Sequence, residues 1–105
     1  MATELQQIAV DSMIDFLDAN TVSAKVTVDG ITYEKEISHV SRKYGLRKYV
    51  KFTTERGTVT RVALVDSLGR EWYVKTMNHT IGSQGYAVAF PFELDIVSKK
   101  VEVTS

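Results

Sequence analysis

Between Gly57 and Ile96 the chain runs GTVTRVALVDSLGREWYVKTMNHTIGSQGYAVAFPFELDI, and its last segment sets Val88, Phe90, Phe92, Leu94 and Ile96 at every second position. Side chains on a strand alternate between its two faces, so this row places five large apolar groups on one face of one strand. A strand of that kind must bury its apolar face against a second layer. Three extended segments separated by two glycine-bearing turns fill the stretch, which marks the chain as a packed β domain. Pro91 points away from the apolar row. It has no N–H for a ladder hydrogen bond and so predicts a sheet edge or a bulge.

The strands upstream follow from turn chemistry. Asp29-Gly30 is a strong two-residue hairpin signal inside residues 23–37, because both central positions need positive φ. It would pair Val28 with Ile31 and Val26 with Tyr33. Residues 38–46, SHVSRKYGL, are expected to be a loop broken at Gly45. A strand is expected from Arg47 to about Glu55, turned back by Arg56-Gly57. Thr58 to Asp66 is rich in β-branched residues and suits a strand. Ser67-Leu68-Gly69 closes another turn. Glu71 to Thr76 returns with Trp72 and Val74 on one face. Asn78 to Gly85 is a polar loop, Tyr86 to Ile96 the long final strand, and Lys99 to Val103 a short terminal one.

Ahead of these strands the spacing turns helical. Thr3 caps a predicted helix over residues 3–20, with Gln6 completing a capping box. Glu4, Gln7, Asp11, Asp15 and Asp18 share one narrow sector of the wheel. Leu5, Ile8, Ala9, Val10, Met13, Ile14, Phe16 and Leu17 cover well over half of the circumference. A helix lying on one small sheet needs an apolar stripe of roughly 100° or somewhat more. Two arrangements remain open for the excess: a deeply seated core helix, or a helix shared with another subunit. In the second, Leu5, Ile8, Met13, Ile14 and Leu17 are the interface candidates.

The fold class is thus mainly β (α+β): an N-terminal amphipathic helix, then six or seven antiparallel strands in a small sandwich or curled sheet. A length of 105 residues suits a single domain, the helix over about 3–20 and the β part over about 21–104. The sequence has no cysteine, which excludes disulfides and thiolate metal sites. No apolar run approaches the roughly 20 residues that span a bilayer. The N-terminus lacks a basic segment followed by an apolar core, so no signal peptide is expected. Net charge is zero, but residues 1–20 carry −4 and the remainder +4. Such a split can orient neighbouring copies or partners, and it argues only weakly for nucleic acid.

Candidate chemistry is sparse. His39 and His79 are the only histidines, and both are expected in surface loops without carboxylate or histidine partners at ligand spacing. Ser67, His79 and Asp66 form a triad only on paper, since no nucleophile-elbow pattern supports them. Gly82-Ser83-Gln84-Gly85 lacks the lysine and the strand-to-helix context of a phosphate loop and is expected to be a turn. No catalytic residue, metal site or cofactor is expected.

Two clusters remain. Arg42, Lys43, Tyr44, Arg47, Lys48, Tyr49, Lys51 and Phe52 lie within eleven positions. Basic grooves with interleaved aromatics hold single-stranded nucleic acid. A loop and edge strand with solvated charges has the same composition. The neutrality of the whole chain favours the solvated edge. Trp72 and Tyr73 alternate on their strand, so one of them faces out and is a candidate contact residue.

The order of elements in Gly57–Ile96 resembles the short tail-fibre or tail-collar-like structural proteins of bacteriophages of Gram-positive bacteria. The matching features are Gly57-Thr58-Val59 opening a strand that ends in Leu64-Val65-Asp66, the turn at Gly69, a charged strand, a loop around Ile81 and Gly85, and Ala87-Val88-Ala89-Phe90 opening the closing strand. The hairpin from Lys25 to Tyr33 and the amphipathic start are similar to that family as well. The loop Ser41-Arg42-Lys43-Tyr44 has no counterpart in the pattern, and no fibre shaft or receptor-binding head is expected after Ser105.

The resemblance implies a virion protein of the phage tail, made in the host cytoplasm and without enzymatic activity. It implies a homo-oligomer, commonly a trimer, in contact with other tail proteins. No membrane partner is expected without a long apolar run, and the neutrality of the chain argues against nucleic acid as the partner. Trp72, Tyr73, His79, Arg42, Arg47 and Lys48 are the partner-contact candidates. The alternative is a small binding module or inhibitor of a host system, acting on nucleic acid through Arg42–Lys51.

Overall fold

The computed structural model describes residues 6–43 and 45–92. Among these, one helix precedes seven antiparallel strands: α1 (Gln7–Ala19), β1 (Ser23–Val28), β2 (Ile31–Lys35), β3 (His39–Ser41), β4 (Leu46–Phe52), β5 (Thr58–Val65), β6 (Glu71–Thr80) and β7 (Tyr86–Phe92). They form two sheets, ordered β2-β1-β5-β6 and β3-β4-β7. The two inner faces meet as a sandwich.

The hairpin forms as its turn residues require. Asp29 and Gly30 both have positive φ, 52° and 80°, and Val28 faces Ile31 while Val26 faces Tyr33. Asp29 also ties the turn to the next hairpin, its carboxylate accepting from the Thr58 backbone N–H at 2.9 Å. β5 carries a bulge: Thr27 and Val28 are consecutive on β1 yet face Arg61 and Val59. The extra residue, Thr60, shifts the alternation by one. Val59 and Val62, three apart, therefore both point into the core and are fully buried.

The core is built by period-two rows. Ala24, Val26 and Val28 on β1 meet Leu46, Val50 and Phe52 on β4 and Val88, Phe90 and Phe92 on β7. Burying a side chain of the size of Phe90 stabilises the fold by roughly 1.5–3 kcal/mol. β7 lies at the end of its sheet, with Pro91 opposite Arg47, as the missing N–H predicts. The free side of β7 is closed by β6: Tyr73 donates its hydroxyl to the Pro91 carbonyl at 2.8 Å, and Lys75 Nζ donates to the Ala89 carbonyl at 2.6 Å. At the opposite seam Lys35 pairs with Glu55 above the Phe52 ring.

Several sequence expectations are corrected. The loop expected over residues 38–46 contains β3, whose Ser41 and His39 pair with Arg47 and Tyr49. β4 runs Leu46–Phe52 and stops short of Glu55, whose carboxylate caps the Thr53 N–H of the turn at 3.1 Å. β6 continues to Thr80, through residues expected to be loop, because Thr76, His79 and Thr80 keep pairing with β5. Both histidines thus sit on strands. Gln6, expected within the first turn, is extended and precedes the helix, and its side chain makes no cap hydrogen bond. Thr3, Leu5, Tyr44, Leu94, Ile96 and the strand expected at Lys99–Val103 lie outside the described residues.

Candidate interaction surfaces

α1 resolves into three faces. Ile14 and Leu17 pack on the core. Asp15 and Asp18 face Arg42, at 3.0 and 2.8 Å. On the remaining side Ile8 is 77% exposed and Phe16 59%. No described residue of the helix is fully buried. Of the interface candidates, Ile14 and Leu17 therefore serve the core, while Ile8 and the partly covered Met13 remain open. Phe16 was not among them. Its position on the helix circumference, away from both Ile14 and the aspartates, is the signal that could have found it.

Phe16 meets Trp72 edge-on, with ring centroids 5.6 Å apart. Trp72 stands in the second irregularity of the β5–β6 ladder, where Leu64 and Val65 face Tyr73 and Glu71 and leave Trp72 without a partner. It turns outward with Val74, while Tyr73 turns inward onto Phe90 and Phe92. A shallow cleft of about 390 Å³ lined by Ser12, Met13, Phe16 and Leu17 adjoins one of about 290 Å³ lined by Leu17, Trp72, Tyr73, Pro91 and Phe92. The outer edge of β6, ten residues long, borders this apolar surface.

The basic-aromatic cluster is split by the pleat of β4. Leu46, Lys48, Val50 and Phe52 point inward and are buried, while Arg47 and Lys51 point out. Lys48 is only 3% exposed. Its Nζ lies 2.8 Å from the Asp18 carboxylate and donates to the Asp18 carbonyl (3.0 Å), the Thr21 carbonyl (2.7 Å) and the Thr21 hydroxyl (2.8 Å). These acceptors end α1, which has no basic residue in its own last turn. Lys48 thus supplies, from across the sandwich, the cation that a helix C-terminus favours. Hydrogen bonds from Lys48 and then Arg42 hold the Asp18 carboxyl below its ordinary value. Lys48 is a structural staple and not a contact residue. Strict alternation with Leu46 and Val50 was the signal for its burial.

Other charges are also consumed internally. Asp66, 5% exposed, accepts from the backbone N–H groups of Leu68 and Arg70 at 2.9 Å each, from Arg70 Nε at 2.7 Å and from the Trp72 indole at 2.9 Å. The indole N–H, with the backbone and guanidinium donors, holds this carboxyl far below the ordinary carboxylate range. It organises the β5–β6 turn and has no lone pair directed at Ser67 or His79. His79 faces Val59 at the far end of the ladder, about 20 Å from Asp66 along β5. It stacks on Tyr86 with centroids 3.7 Å apart. Arg61 grips Glu71 through two bonds of 2.6 and 2.7 Å. Lys25 and Arg56 donate to the carbonyls of Gly69 and Glu55, and Lys43 is engaged as well. Of the described Lys and Arg side chains, Arg47 and Lys51 alone have no partner.

Among the described residues no group of three His, Cys, Asp or Glu side chains is placed to hold a metal ion. No helix among them is long and apolar enough to cross a membrane. No family model, curated protein or solved structure matches this chain.

Proposed function

We propose that the chain is a non-enzymatic assembly protein of the phage-tail class that its strand order resembles, acting by self-association. The observation that carries this is the apolar surface of Met13, Phe16 and Trp72, left open where α1 meets the outer side of β6, with Ile8 and Val74 also exposed on those two elements. Contiguous exposed apolar groups of this kind mark interaction sites. The occupant is a second copy. The surface borders the unpaired edge of β6, and two such edges can pair across a two-fold axis, each presenting the same patch to the other. The internal pairing of Asp18, Glu55, Asp66 and Glu71 supports an assembly role, because it holds these four carboxylates in ion pairs within the molecule.

Light scattering on the eluted protein tests the association. The expected result is a mass above one chain that falls to one chain in Phe16→Glu, with thermal stability kept. A wild-type monomer at micromolar concentration refutes self-association. Ile14→Glu should instead unfold the protein, since Ile14 packs on the core. The virion placement is checked by mass spectrometry of purified particles, and recovery of the chain only outside them refutes it.

A further inference from the structure

The neutrality of the whole chain conceals a local imbalance. Among the described residues every other Lys and Arg is engaged within the molecule, and the two that are not lie on one face of one strand. The three strands of the small sheet, His39–Ser41, Leu46–Phe52 and Tyr86–Phe92, contain no Asp or Glu. On the outer side of that sheet Tyr49 stands between Arg47 and Lys51. The register places His39 and Ala89 on either side of Tyr49, Pro91 beside Arg47 and Ala87 beside Lys51. The small side chains along β7 keep that flank low. His39 lies tilted against the Tyr49 ring at 5.6 Å.

We infer that this face binds single-stranded nucleic acid, with phosphates on Arg47 and Lys51 and a base stacked on Tyr49. Arg47 and Lys51 are four residues apart, about 13 Å along a strand, a span that brackets a nucleotide lying on the ring between them. Cations along the backbone and an aromatic platform for the bases are the two elements of sequence-tolerant single-strand binding. A three-stranded face is broader than the helix or two-stranded ribbon that the major groove of a duplex admits. The pleat that removes Lys48 from the cluster is what leaves Arg47, Tyr49 and Lys51 in register on one surface. This inference is independent of self-association, which uses α1 and β6.

Fluorescence anisotropy with a labelled oligo-dT, titrated with the intact protein at a series of salt concentrations, tests it. With two phosphates neutralised, the logarithm of the binding constant should fall with that of salt at a slope of about −1.4. Arg47→Gln/Lys51→Gln should bring the slope towards zero. Tyr49→Leu, which keeps an apolar side chain at a half-buried position, should weaken binding about fivefold or more, whereas Tyr49→Phe should bind as the wild type. Arg61→Gln, on the other sheet, should change nothing. No binding at low salt overturns the inference. Equal binding of duplex does so too. Competition by polyglutamate as effective as that by oligo-dT, with Tyr49→Leu unimpaired, assigns the face to an acidic protein and likewise overturns it.

Discussion

Replacing Lys48 by Met should destabilise the protein severely, although the side chains are similar in length and Met suits an apolar site. The ammonium group reaches four acceptors from Asp18 and Thr21 at 2.7–3.0 Å. Thr21 is 1% exposed, so without Lys48 its carbonyl loses a buried donor. Removing one partner of a buried ion pair costs about 3–5 kcal/mol. Asp18 keeps Arg42 and a side chain 31% exposed to water, which places the loss near the lower bound, about 3 kcal/mol. In a domain of this size that corresponds to a fall in melting temperature of about 15 °C. Urea denaturation of wild type, Lys48→Met, Asp18→Asn and the double variant measures both the loss and the coupling. Residues that share a network should show a coupling of about 1 kcal/mol or more. The double variant should therefore be less damaged than the sum of the two single ones. A Lys48→Met loss below about 1 kcal/mol, or strictly additive losses, would refute the staple.

Other substitutions separate backbone from packing effects. Gly85 has φ +83° and an added Cβ would lie 2.7 Å from the Phe52 carbonyl oxygen, so Gly85→Ala should cost about 1–3 kcal/mol in urea denaturation. Gly82, with open space around it and no positive φ, should tolerate alanine without measurable loss. Phe90→Ala, at a fully buried position against Tyr73, should cost about 3–5 kcal/mol by the same measurement. The carboxyls of Asp18, Glu55, Asp66 and Glu71 are all held below their ordinary values in the folded state. Their stabilisation is then complete above the unfolded values and is lost as the pH falls through the folded ones. The urea midpoint should therefore decline below about pH 4.5, and Asp66→Asn should flatten that decline; a midpoint that rises on acidification would contradict the assignment.

Local signals carried much of the architecture. The Asp29-Gly30 turn set the β1–β2 register because both residues accept positive φ, and Pro91 marked an edge because it has no N–H to donate. The alternation from Val88 to Phe92 named core residues directly. The candidate sites were less legible. A cluster counted along the chain ignores the pleat, which turns Lys48 and Arg47 to opposite faces. The bulge at Thr60 displaced the inward row of β5 by one residue, which no strict period reveals. β6 outran its expected end because pairing with β5 held His79 and Thr80 extended against the polar composition of the segment.

By itself the sequence determined the helix, most of the strands, most turns and the inward rows of β1, β4 and β7, since φ preferences and side-chain parity are set within a few residues. Only the tertiary structure decided that β1 lies beside β5, that Lys48 ends α1 from across the sandwich, and that Arg47 and Lys51 are left unmatched. It also decided which side of α1 stays uncovered. Those outcomes depend on which distant groups come within hydrogen-bond or contact distance, and no local preference encodes that.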